Sequence, residues 1–163
     1  MLRTLLLIVA LACTGVVDAL DLKPVTDVAT PPLQLTGLDG RKYDLADYKG
    51  KVVLVQFWAT YCTPCRKEMP SMNKLMQKMG DDFVILAVNM GEERDAVDQF
   101  VREVKPAFPI LLDPDGSSIG AWQVFAAPSN FVVGPDGRVR YTLFGGVEWD
   151  SDEVVTTLKS LEK

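Results

Sequence analysis

Cys62 and Cys65 stand with two residues between them in the run Phe57-Trp58-Ala59-Thr60-Tyr61-Cys62-Thr63-Pro64-Cys65-Arg66. An unbroken apolar segment, Val52 to Trp58, leads into them, and a helical pattern starts at once after them. Two thiols at this spacing can open and close as a disulfide. The start of a helix carries partial positive charge and unpaired N–H groups, which favour a thiolate there. The thiolate is the form that attacks, so this placement turns an ordinary cysteine into a nucleophile. The chemistry implied is thiol–disulfide exchange.

The chain contains no histidine, and that excludes a good deal. There is no Ser-His-Asp or Cys-His nucleophile system. Haem attachment needs histidine directly after the second cysteine, where this chain has Arg66. A tetrahedral zinc site needs four ligands, usually Cys or His, and these residues leave it short. No cofactor and no metal are expected. The net charge is −5 with no basic cluster, so nucleic acid is not an expected partner. The 163 residues are 48% hydrophobic and 24% charged, which fits one globular domain with a real core.

Residues 1–19 read as a secretory signal. Met1-Leu2-Arg3 gives a positive start, Leu5 to Ala12 is apolar, and Val17-Asp18-Ala19 resembles a cleavage site. The apolar stretch ends near Val17 and is too short to cross a bilayer, which takes about 20 residues. The alternatives are an uncleaved N-terminal anchor and lipid attachment at Cys13. Cleavage would leave Cys62 and Cys65 as the only cysteines. A disulfide closing so short a loop restrains little of the unfolded chain, so the pair is better explained as chemistry than as scaffold. The location implied is periplasmic or otherwise exported.

The elements that must position the dithiol follow in order. Residues 20–32 form a flexible lead-in, extended or mobile, and residues 33–163 the folded domain. Leu33–Thr36 and Arg41–Leu45 flank an Asp39-Gly40 turn, a hairpin signal. Val52–Trp58 lacks polar alternation, as a central strand covered on both faces does. After Cys65, Met69, Met72, Leu75, Met76 and Met79 recur at helical spacing up to Gly80, with Pro70 expected to kink the helix. The methionines read as core packing, with a copper-binding stripe as the sharper alternative. Phe83–Val88 is a second buried strand, Glu93–Val104 a helix, and Pro109–Leu112 a short strand closed by the Asp113–Gly116 turn. Asn130–Val133 and Arg138–Phe144 form a second hairpin, and Val154 to Leu161 a closing helix. Helices between strands imply parallel crossovers, and the late hairpin adds antiparallel strands. The expected class is α/β, a mixed central sheet with helices on both faces.

With these motifs in place, the chain resembles a thioredoxin-fold protein. More narrowly, it is similar to the TlpA/ResA-like thiol–disulfide oxidoreductases within the redoxin, or AhpC/TSA-like, superfamily. The resemblance rests on Gly50–Thr60, Cys62–Pro70, Phe108-Pro109, Leu112–Gly116 and Ala127-Pro128 before a strand. It implies an N-terminal β-hairpin and a central insertion on the thioredoxin frame. It implies that Cys62 is the exposed nucleophile and that Cys65, one turn in, resolves the mixed disulfide. Thr63 and Pro64 would tune the redox poise, and Trp58 would cover the site, unless it is simply a core aromatic. Pro128 would be the cis-proline that holds the Ala127 backbone ready for a partner chain, the alternative being an ordinary trans turn. Gln56 stands where classical thioredoxins carry a buried acid. Glu68 matches an acid of the cytochrome-maturation members. One turn from the dithiol, Glu68 either acts on the thiols or is a solvated surface glutamate.

Thr63-Pro64 supplies no positive charge to stabilise the thiolate, so the expected direction is reduction of client disulfides. The partners implied are client proteins such as apocytochrome c or copper-site proteins, and a membrane thiol-reductant donor. Two other readings stand beside this one. A peroxiredoxin-type thiol peroxidase normally has a Pro-and-Thr loop before its cysteine, and the segment before Cys62 here has Trp58-Ala59-Thr60 and no proline. A thioredoxin-fold copper carrier uses Cys-x-x-x-Cys with a distant His, and this chain has neither.

Overall fold

The structure is a computed structural model that describes residues 22–26 and 28–162. The signal segment and Cys13 lie outside the described residues. Eight strands form one sheet: β1 (Lys23–Pro24), β2 (Gln34–Gly37), β3 (Lys42–Asp44), β4 (Val52–Trp58), β5 (Phe83–Asn89), β6 (Ile110–Leu112), β7 (Ser129–Val133) and β8 (Val139–Phe144). Their order is β1-β8-β7-β4-β5-β6-β2-β3. β4, β5 and β6 run parallel, and the remaining neighbours pair antiparallel.

β4 explains why its run is apolar throughout. Strands flank it on both sides, and every one of its residues is buried. Side chains alternate between faces. Val52, Leu54 and Trp58 enter one hydrophobic cluster, and Val53, Val55 and Phe57 enter the other. Gln56 is the polar exception, on the same face as Leu54 and Trp58.

The helices are α1 (Thr63–Met79), α2 (Arg94–Val104), α3 (Ser117–Ala121) and α4 (Asp152–Lys159). They cover both faces unequally. α1, α2 and α4 put Met69, Met72, Leu75, Val97, Phe100, Val154 and Leu158 into the cluster that holds Trp58. The opposite face is closed by five-residue α3, the Trp122–Val124 turn and the N-terminal hairpin. The stretch between β5 and β7 supplies α2, β6 and α3, and β6 docks the hairpin onto the sheet through Thr36–Leu112 pairing.

α1 runs on through Pro70 as one helix. An interior proline costs ~3 kcal/mol or more. Met69, Met72 and Leu75 are fully buried on its inner face, and each such side chain contributes ~1.5–3 kcal/mol. Burial therefore outweighs the break. Gly80, at φ +74°, closes the helix, and its N–H donates to the Met76 carbonyl.

Part of the lead-in is extended along the sheet edge. Lys23 and Pro24 pair with Thr142 and Tyr141 at the sheet edge, and the Val25 N–H donates to the Arg140 carbonyl at 2.8 Å. Leu22 is buried in the main core, and Thr30 Oγ1 accepts from the Val139 N–H. A mixed, proline-bearing segment carries no strand period. Here the free edge of β8 recruits it.

Candidate active site

β4 delivers the chain to the dithiol, and α1 begins immediately beyond it. Cys62 and Cys65 form a disulfide with a Cα–Cα distance of 5.3 Å. Cys62 is the N-cap of α1, and its Sγ accepts from the Cys65 N–H at 3.2 Å. Pro64 lies in the first turn, where no N–H is needed. Cys65 is fully buried. Cys62 keeps 7% exposure, so it is the more accessible residue of the pair but not as exposed as the resemblance implies. Neighbouring side chains of the same core cluster cover it. Thr63 and Pro64 are exposed in front of the pair, and Tyr61 is 78% exposed beside it.

Trp58 belongs to the same buried core cluster as Cys62 and Cys65. It is fully buried, and its ring lies 4.5 Å from that of Phe100. Arg66 stands over Phe100 at 4.5 Å and pairs with Glu103 at 2.9 Å. The Ala127–Pro128 peptide is cis. Pro128 is buried, its carbonyl accepts from the Gly145 N–H, and Ser129 Oγ donates to the Ala126 carbonyl. β7 runs antiparallel to β4, so this bend sits at the same end of the sheet as Cys62.

Glu68 is buried at 3% exposure, not solvated. Its Oε2 accepts from Trp149 Nε1 at 3.1 Å and from the Val147 N–H at 3.3 Å. Its Oε1 accepts from Gln56 Nε2, which also faces Met72 Sδ at 3.2 Å. Burial raises the carboxyl from 4.5 to about 7, against the three hydrogen bonds that favour its ionised form. Gly146 permits this packing, because a Cβ there would stand 3.2 Å from Pro64 Cβ and 3.5 Å from Glu68 Oε2. Gln56 and Glu68 therefore share one buried site, with the acid coming from the helix and not from the strand.

Two residues of this neighbourhood escape sequence reasoning. Trp149 is far along the chain from Glu68 and lies in the turn before α4. Glu92, after β5, reaches back to Thr60. The only local signal for Glu92 is an acid following the Asn89-Met90-Gly91 turn. Among the described residues, no group of His, Cys, Asp and Glu is placed to hold a metal.

Residues 26–142 match the AhpC/TSA family. The chain belongs to this family. It is 37% identical over 152 residues to the thiol-disulfide oxidoreductase ResA of Geobacillus thermodenitrificans, covering 88% of this chain and 86% of that protein. The ResA of Bacillus thuringiensis is 40% identical over 116 residues, covering 71% and 67%. Among solved structures, one described as a thiol:disulfide interchange protein DsbE from Chlorobium tepidum superimposes with a TM-score of 0.75. It is 28% identical, covering 82% of this chain and 94% of that one. The exposed lipoprotein thioredoxin of Streptococcus pneumoniae gives a TM-score of 0.69 at 32% identity, over 80% and 99%. The fold is thioredoxin-like, and this AhpC/TSA-family chain is a thiol–disulfide oxidoreductase.

Proposed function

We propose that the protein works outside the cytoplasm as a reductant of disulfides in specific client proteins. The observation that carries this reading is the buried carboxyl of Glu68, one turn beyond Cys65 and held at about 7. An ionised carboxylate there opposes a second negative charge and raises the thiols. A thiolate that is poorly stabilised makes the disulfide form relatively favourable, and a couple of that kind reduces others.

The reaction runs in two exchanges. The Cys62 thiolate attacks one sulfur of the client disulfide, whose bond breaks, and the released client thiolate takes up a proton. Cys65 then gives its proton to Glu68 and attacks Cys62 Sγ. The mixed disulfide breaks, Cys62–Cys65 closes, and the second client sulfur leaves as a thiol with the proton that Glu68 took from Cys65. Two electrons and two protons pass to the client. A membrane thiol-reductant donor returns them. Thr63, Pro64 and the Ala127 backbone face the client, with Pro128 fixing the bend that presents Ala127. The clients implied by the family resemblance are apocytochrome c or copper-site cysteines.

Equilibrating the domain against a thiol buffer tests the direction. A potential near about −270 mV fits a reductant, and one near about −120 mV marks an oxidant and overturns the reading. Turnover of hydrogen peroxide with a thiol donor would favour the peroxidase instead. Cys65→Ser is expected to hold clients as mixed disulfides on Cys62, which identifies them directly.

A further inference from the structure

One half-buried carboxylate beside the dithiol takes no part in these steps. Gly91, at φ +74°, turns the chain out of β5, and Glu92 follows. Its carboxylate collects three donors. Oε2 accepts from the Thr60 N–H at 2.6 Å and from Asn89 Nδ2 at 2.7 Å, and Oε1 accepts from Thr60 Oγ1 at 2.5 Å. The Glu92 N–H donates in return to Asn89 Oδ1 at 3.0 Å. Asn89 is 1% exposed at the last position of β5, so the carboxylate is braced from a rigid element. The Thr60 and Asn89 N–H groups can only donate, which suits a carboxylate, and such bonds are the strong ones.

Thr60 lies where the regular structure gives out. β4 ends at Trp58 and α1 starts at Thr63, so no ladder orients the residues between them. The Cys62 N–H donates to the Ala59 carbonyl at 3.2 Å, and the Met90 N–H to the Trp58 carbonyl at 3.0 Å. The Arg66 N–H donates to the Cys62 carbonyl at 3.1 Å and anchors the far end of the loop on α1. Glu92 braces its middle, binding both the amide and the hydroxyl of Thr60. Two bonds to one residue fix its orientation as well as its place. In the oxidised protein the disulfide also holds Cys62. Once it opens, that covalent restraint is gone. The loop bonds and the Cys65 N–H must then keep Cys62 Sγ at the helix start.

We propose that Glu92 is a positioning residue of the redox centre, clamping Thr60 so that the reduced Cys62 stays on the N-terminus of α1. The proposal rests on the reading of Cys62 as the nucleophile. It makes a prediction opposite in sign to a plain charge effect. Removing a nearby negative charge alone would lower the Cys62 thiol. Releasing the loop takes Sγ away from the Cys65 N–H and raises it.

The test titrates the thiolate of the reduced protein by its ultraviolet absorbance and measures its rate with a small aromatic disulfide. Glu92→Ala is expected to raise the Cys62 pKa and slow exchange about tenfold, the worth of one charge-assisted hydrogen bond. Glu92→Gln, which still accepts from the Thr60 amide, should recover most of that rate. Thr60→Val removes only the hydroxyl and should give a smaller loss in the same direction, which Thr60→Ser restores. These two variants decide the matter even if Glu92→Ala fails to fold. A Cys62 pKa that falls or stays put, with an unchanged rate, overturns the clamp. An inert wild-type protein would instead overturn the reading of Cys62 itself.

Discussion

At the residue scale, Glu68 makes the sharpest departure from ordinary chemistry. Its carboxyl titrates near 7 in the folded chain and near 4.5 when solvated. The native state therefore binds more protons than the unfolded state across that window, and stability must fall as pH rises through it. The loss amounts to ~3 kcal/mol when complete. Thermal unfolding of the oxidised protein should show a Tm that drops between these values and levels off above. Glu68→Gln should flatten the profile and, at about pH 8, exceed the wild type by ~2 kcal/mol. The substitution is tolerable because Gln56 Oε1 has no partner among the described residues and can accept from the new amide. In the reduced protein the same variant should lower the thiol pKa values. Unchanged thiol titrations and exchange rates would confine Glu68 to packing.

At the element scale, α1 carries the site, and its two ends are held differently. The N-terminus is capped by the reacting sulfur itself. The C-terminus depends on a glycine at φ +74° and ψ −151°, a region that essentially only glycine occupies. A Cβ at Gly80 would meet nothing within 4 Å, so Gly80→Ala tests backbone conformation alone. The cost should be ~1–3 kcal/mol in denaturant unfolding, with exchange activity retained. Met72→Ala, on the buried face, should cost ~2–5 kcal/mol. It also removes the sulfur beside Gln56, so it should disturb the Glu68 titration as well. The helical period of α1, the apolar run of β4 and both Asp-Gly hairpins were legible in the chain, because each depends on neighbours a few residues away. β1 was not. Its pairing arises from an open edge on β8, and nothing inside a two-residue strand announces that edge.

At the scale of the molecule, the lead-in belongs to the folded unit. Removing residues through Val25 strips Leu22 from the core and unpairs the edge of β8. The loss of Leu22 burial alone predicts a destabilisation of ~2 kcal/mol. The Val25 amide should be protected in hydrogen exchange, and full exposure of that amide would show that the edge pairing does not persist in solution. The sequence by itself determined the dithiol, its place at a helix start, the order of the elements and the thioredoxin-like frame. The first three rest on local spacing and on an apolar pattern with a definite period, and the thioredoxin-like frame on the resemblance that the motifs carry. Only the tertiary structure decided that Glu68 is buried, that Trp149 and Val147 hold it, that Trp58 is core and that Glu92 reaches Thr60. The acid's chemistry depends on desolvation and on donors arriving from distant segments. No window of sequence around a residue contains what the rest of the chain will place against it.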